Sequence, residues 1–277
     1  MYEENHIKSG DGTTIFCRSW KVENAESNVL LVHGYTDHSG RYESLARNFN
    51  SKNISVYSFD LRGYGQSEGE KTSISSFDEY MHDLKAVANH VNVPFYLMGH
   101  SMGGLISVKY ALQNQENIKG LILSAPALIQ NASASKFKIK LVLFLSKLLA
   151  KKRSKIKVNP AFLSTDKAVV DAYNNDSLVN NIGANWSFLG EFMRAMNSIP
   201  GSVSKLELPI IVFHDEKDEL SNPKGSKLLV DLCASSDKSL NVVSNRGHEL
   251  LQGESSNTII NPIINWITEE KRNLRKN

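Results

Sequence analysis

Residues 95–112 read FYLMGHSMGGLISVKYAL. The apolar run at 95–98 is too short for a helix and suits a strand covered on both faces. From residue 101 onward the composition turns to that of a helix. Between the two lies GHSMG, residues 99–103, a serine with a glycine two positions to either side. In a strand–turn–helix context this spacing is a nucleophile elbow. The serine must sit on a tight, strained turn, and side chains at 99 and 103 would clash with the strand and helix that the turn joins. The turn lifts the hydroxyl clear of the sheet and sets it at a helix N-terminus, so Ser101 is the candidate nucleophile.

The flanking sequence repeats the same unit. TTIFCRSWKV and NVLLVHG read as strands, RYESLARNFNSKN as a helix with Tyr42, Leu45, Ala46 and Phe49 on one face, and ISVYSFDLRG as the next strand. SFDEYMHDLKAVANHV carries Phe77, Tyr80, Met81, Leu84, Ala88 and Val91 on one stripe and a capping box of Ser76 with Glu79. IKGLILSAPAL is a strand. Alternation resumes late with PIIVFHD, PKGSKLLVDLCASS, SLNVVSN and a terminal helix over roughly 256–274, which Pro262 is expected to start or kink. This order implies a mostly parallel sheet with helices on both sides, an α/β fold. From about 127 to 205 the alternation stops and the chain looks helical. The expected organisation is therefore a body formed by 1–126 and 206–277, with 127–205 inserted as a helical cap.

The bulk numbers fit one large soluble unit: 277 residues, 41% hydrophobic and 22% charged. Two distant cysteines, Cys17 and Cys233, argue against a disulfide framework or a cysteine zinc site, and no metal or organic cofactor is expected. The N-terminus MYEENHIKSGDGTT is acidic and polar, unlike a secretory leader, and no apolar run is long enough to span a bilayer. A cytoplasmic location is expected, and the sequons at Asn131, Asn175 and Asn185 are expected to go unused. Net charge is +3, yet residues 131–158 hold nine Lys/Arg and no acid, so the rest of the chain stands at −6. Such a patch fits one anionic surface as a partner rather than nucleic acid.

A serine hydroxyl needs a base. In this fold the order is serine, acid, histidine, each on the loop after a strand. His248 in VVSNRGHELL follows the last strand and a turn glycine. His82 and His90 lie on a helix before the serine, and His6 in the N-terminal tail. After PIIVFH the acids Asp215, Glu216, Asp218 and Glu219 compete. The usual spacing of a turn glycine and then the acid three residues on favours Asp218 over Asp215, which occupies the glycine position.

With HGYTDHSGRY, FDLRGYGQSEG, GHSMGG, AYNNDSL, NPKGS and the final GH in view, the chain resembles the monoacylglycerol lipases of the α/β-hydrolase superfamily, a group that includes lysophospholipase-like esterases. The resemblance implies backbone N–H groups of Tyr35 and Met102 as the oxyanion hole, with Asp37, His38, Arg41, His100 and Tyr173 around the glycerol hydroxyls. For His38 and Arg41, pinning the loop by hydrogen bonds is an equal alternative. The implied substrate is a single-chain lipid ester. A lysophospholipase, a broad carboxylesterase or a non-catalytic binding protein on the same fold are the rival readings, and oligomeric state is not legible. Two departures stand out. Tyr35 replaces a small residue and is expected to narrow the alcohol side, and Asp215 replaces the turn glycine. RGYGQSEG lacks phosphate-loop spacing and is expected to shape a loop beside the sheet.

The segment 136–155, KFKIKLVLFLSKLLAKKRSK, reads as a basic amphipathic helix. At about 100° per residue, Lys136, Lys140, Lys147 and Lys151 fall within about 60° of one another, with Leu141, Val142, Leu145, Leu148 and Leu149 opposite. Either that apolar face packs on the body, or the helix makes peripheral contact with an anionic membrane.

Overall fold

The computed structural model describes the backbone of residues 1–130 and 136–274, and the side chains of 1–130 and 139–269. The Lys136 side chain and the Asn131 sequon lie outside the described residues.

Eight strands form one sheet: β1 (Tyr2–Lys8), β2 (Thr14–Trp20), β3 (Ser27–Val32), β4 (Ile54–Phe59), β5 (Phe95–His100), β6 (Ile118–Ser124), β7 (Ile210–Asp215) and β8 (Lys238–Val243). Their spatial order is β1-β2-β4-β3-β5-β6-β7-β8. The pairs from β4 to β8 are parallel, while β2 runs antiparallel to both β1 and β4. This is the expected mostly parallel α/β sheet. β1 is an addition to the expectation for the N-terminal tail. YEENHIK alternates exposed and half-buried positions, the signature of an edge strand that buries little and carries few apolar residues.

Burial on both faces follows from strand periodicity. In β3, Leu30 and Val32 join one apolar cluster and Val29 and Leu31 the other, all with no exposed surface. The first cluster packs helices α2 (Asp78–Val91) and α3 (Met102–Ala111), and the second packs α1 (Glu43–Asn50) and α8 (Asn257–Leu274). At the start of α2, Glu79 accepts the backbone N–H groups of Ser75 and Ser76, while the Ser76 hydroxyl takes that of Asp78. The reach-back half of the expected capping box is therefore present, and the serine half is displaced by one residue. Pro262 is the sixth residue of α8 rather than its first. A short 3-10 turn, Glu254–Ser256, precedes the helix.

Between β6 and β7 lie α4 (Lys136–Leu148), α5 (Lys167–Asn175) and α6 (Trp186–Ser198). α4 and α6 cross closely, since a Cβ on Gly190 would come 2.3 Å from the Ser146 hydroxyl. That contact sets the rotation of α4. Ser146 is buried, Val142, Leu145 and Leu149 are half-buried, and Leu141, Phe144 and Leu148 face solvent at 43, 62 and 67% exposure beside Lys140 and Lys147. The apolar face read from periodicity is thus split, and Leu141 and Leu148 are on the exposed side. The partner that fixes this rotation, Gly190, is 44 residues from Ser146 in the chain.

After β4, the DLRG loop is built from ion pairs. Arg62 holds Asp83 through two hydrogen bonds of 2.7 and 2.6 Å, and reaches Asp11 and Glu79. Asp60 accepts the Ser39 and Gln66 N–H groups, and leaves no room for a Cβ at Gly65. The glycine-rich loop therefore shapes the ground beside the sheet, as expected, and ties it to the HSGRY segment. Among the described residues no helix is long and apolar enough to cross a membrane.

Candidate active site

Ser101 follows β5 in a strained conformation, φ 53° and ψ −119°, and caps α3. The glycines around it are forced by contact. A Cβ at 99 would come 2.5 Å from the Gly103 carbonyl oxygen, and one at 103 would come 2.1 Å from that of Val32. The turn thus presses α3 against the end of β3, and this closeness exposes the serine hydroxyl.

His248 Nε2 lies 2.8 Å from Ser101 Oγ, and His248 Nδ1 lies 2.7 Å from Asp218 Oδ2. The other Asp218 oxygen accepts the N–H groups of Leu220 and Ser221. Burial alone would raise the Asp218 carboxyl. The His248 charge and hydrogen bonds from His214, His248 and the Ser221 backbone outweigh it and hold that carboxyl far below the ordinary range. Burial would likewise depress His248, but the Asp218 charge and hydrogen bond prevail and raise it above an ordinary imidazole. This is an orienter–base–nucleophile chain with the geometry that acyl transfer requires.

The structure also separates the competing acids. Asp215, at the end of β7, is taken up by backbone N–H groups. Its Oδ2 accepts the N–H groups of Arg246 (2.6 Å) and Gly247 (3.1 Å), and its Oδ1 that of Lys217. It fastens the loop carrying His248 to the loop carrying Asp218. His214 adds a second imidazole to Asp218, with Nε2 3.2 Å from Oδ2 and Nδ1 2.7 Å from the Ser226 hydroxyl of α7 (Pro223–Leu232). Sequence reasoning missed both roles, because Arg246, Gly247 and Ser226, which complete them, lie on another loop or on a helix. His33 is structural: its Nε2 accepts the Leu61 N–H, which ties β3 to the DLRG loop.

An apolar cavity of about 380 Å³ opens onto Ser101. Tyr35 and Met102 line it beside the serine, and a Cβ on Gly34 would sit 3.2 Å from Ser101 Cβ. The peptide after the HG pair therefore passes next to the nucleophile. One arm of the cavity is walled by Val142 of α4 and by Phe188, Phe192 and Met196 of α6. The Tyr35 ring stacks on Phe188 at 5.1 Å. The large side chain therefore packs against the wall of this apolar arm.

Of the residues expected around the substrate hydroxyls, only His100 is on the cavity wall. Burial first, and then the neighbouring His248, push its pKa down to about 3. Asp37, His38, Arg41 and Tyr173 form a network behind the wall. Arg41 donates to Asp37 at 2.9 Å and lies over the Tyr173 ring, and Asp37 also accepts the Tyr42 hydroxyl. His38 reaches Asp176 at 2.8 Å, and Tyr173 pairs with the Thr36 hydroxyl. These contacts knit the loop after β3 to α5. A carboxylate the sequence did not single out, Glu249, does line the cavity, 3.5 Å from Arg41 and 3.9 Å from His100 Nε2. Burial, and then Asp37, raise its pKa against the pull of Arg41.

The fold and this chain of contacts are those of a serine hydrolase built on the α/β-hydrolase sheet. The chain belongs to the Serine aminopeptidase, S33 family, whose model matches residues 23–256. Similar proteins include the Monoglyceride lipase of Rattus norvegicus, 32% identical over 95% of this chain and 89% of the relative. The Monoacylglycerol lipase of Mycolicibacterium smegmatis is 30% identical over 86% and 87%. The fold also matches the crystal structure of the Paleococcus ferrophilus monoacylglycerol lipase with a TM-score of 0.84, at 24% identity over 92% of this chain and 99% of that one.

Proposed function

We propose that this protein hydrolyses carboxylic esters of a single acyl chain, with monoacylglycerol as the preferred substrate. The observation that carries the reading is the cavity. Its apolar arm fits an acyl chain, while its other end, at Ser101, His248, His100 and Glu249, is polar. Ser101 Oγ attacks the ester carbonyl and its proton passes to His248 Nε2. The Tyr35 and Met102 N–H groups receive the oxyanion. The tetrahedral intermediate collapses, and His248 returns the proton to the departing alcohol. Water, deprotonated by His248, then attacks the acyl-enzyme and releases the fatty acid and the serine. Asp218 holds the imidazole with Nδ1 protonated and Nε2 free to accept. The relatives named as monoglyceride lipases support the glycerol ester over a phospholipid.

In this reading residues 127–205 are a cap over the body formed by 1–126 and 206–277, and α4 is its outer face. The exposed Leu141, Phe144 and Leu148 beside Lys140 and Lys147 support seating of the cap on an anionic bilayer, where the substrate resides.

The test is a panel of monoesters: 1-lauroylglycerol, the matching lysophosphatidylcholine, a p-nitrophenyl ester and an amino-acid amide. The glycerol ester should be turned over with the highest kcat/KM. Ser101→Ala should abolish turnover without lowering the melting temperature. Activity on the amide alone, or full activity in the alanine variant, would refute the reading.

A further inference from the structure

The polar end of the cavity has a charge imbalance that the triad does not explain. Arg41 is the cation of that corner, and it lies nearer to Asp37, at 2.9 Å, than to Glu249, at 3.5 Å. Arg41 is thus largely matched by Asp37, and the Glu249 carboxylate is left in excess. His100, the other neighbour of Glu249, stays neutral because it is buried against the His248 ring, 4.9 Å between centroids. Lys157 also lines the cavity, but its side chain is exposed to solvent, which screens its charge. Asp37 and Arg41 are both behind the wall, so the charge that faces a bound molecule is that of Glu249.

The place of this charge relative to the chemistry follows from proton transfer. The departing alcohol takes its proton from His248 Nε2, so its oxygen must lie against that imidazole. The apolar arm beneath α6 is occupied by the acyl chain. The rest of the alcohol is therefore directed to the corner formed by His100 and Glu249, one residue beyond His248. A carboxylate there can accept a hydrogen bond from an uncharged polyol, and it repels a phosphate on the same alcohol. Two like charges about 6 Å apart repel strongly enough, at the effective dielectric of a protein, to change a rate constant at least tenfold.

We propose that Glu249 is the specificity-determining residue for the leaving group, selecting esters of neutral or cationic alcohols against esters of phosphorylated ones. The proposal rests on the ester-hydrolase reading and adds the charge class of the alcohol to it. It requires no contact from Asp37 or Arg41, whose task is to hold the corner in shape.

The experiment compares three monomeric esters of one acyl chain, 1-decanoylglycerol, 1-decanoylglycerol 3-phosphate and decanoylcholine, at about pH 8, chosen well above the ordinary carboxyl range because burial raises Glu249. The parent protein should favour the neutral ester over the phosphate ester at least tenfold in kcat/KM and should accept the choline ester. Glu249→Gln should narrow the neutral-to-phosphate ratio at least fivefold, chiefly by faster turnover of the phosphate ester, and should slow the choline ester relative to the neutral one. A loss of packing alone would lower all three together and leave the ratios in place. Equal use of the neutral and phosphate esters by the parent protein overturns the proposal, as does an unchanged ratio in Glu249→Gln. If that variant does not fold, the ranking by the parent protein decides. Hydrolysis of none of the three would instead overturn the ester-hydrolase reading itself.

Discussion

Replacing Gly103 by alanine would set a methyl carbon 2.1 Å from the Val32 carbonyl oxygen and 2.5 Å from that of His33. Ordinary contact begins at 3.4 Å, so α3 and the end of β3 must part by about 1.3 Å, the difference between those distances. Both sides of the contact are backbone, and neither can swing aside as a flexible side chain would. The two N–H groups assigned to the oxyanion ride on these elements: Met102 opens α3, and Tyr35 follows β3. A separation of an ångström takes one donor out of range. Loss of one donor typically costs about 10²–10³ in rate, and a misplacement of that size alone about 10². Overpacking of this kind costs about 1–3 kcal/mol, which in a chain this long lowers the melting temperature by about 2–4 °C per kcal/mol. The assay is kcat/KM on a soluble short-chain ester, read beside thermal melting and beside labelling of Ser101 by a fluorophosphonate. Gly201→Ala, where a Cβ meets nothing within 4 Å, is the control and should be silent. A Gly103→Ala protein within threefold of the parent in kcat/KM would show that the close approach does not set the oxyanion site.

Two further perturbations probe His248 and α4. His248 must be neutral to accept the Ser101 proton, so activity should fall as pH drops through its pKa, which the Asp218 charge raises. Asp218→Asn removes that charge, so kcat should fall by about 10⁴ and the acid limb of the residual activity should move to lower pH; a limb that stays in place would remove Asp218 from its role. Lys140→Gln with Lys147→Gln should weaken binding to anionic vesicles about thirtyfold, at about 1 kcal/mol per lysine, and Phe144→Ser should weaken it further; unchanged co-sedimentation would leave α4 as packing only.

What could be read in advance was what local geometry imposes. Ser101 was legible because its backbone strain demands glycines at fixed offsets, and His248 because it follows the last strand after a turn glycine. The sheet was legible because alternate residues of each strand must enter opposite cores. β1 was not, since an edge strand buries too little to need an apolar pattern. The rotation of α4 depends on Gly190, and the placement of Glu249 on Arg41, more than 200 residues earlier in the chain. The substrate-side residues show the limit of resemblance: His100 is on the cavity wall, and the other four are behind it.

Asp215 stands where the resemblance expects a glycine, and its carboxylate fastens the backbone before His248 to the loop that holds Asp218. The loops of Asp218 and His248 therefore share one hinge pin and behave as a single exchangeable part. In laboratory recombination with a relative that has glycine at this position, a crossover between them would leave two backbone N–H groups with no acceptor and the histidine loop unmoored. Functional chimeras should inherit residues 215–248 from one parent, so a change of substrate range is more readily reached through residues 127–205 or through Glu249 than by exchanging either loop alone.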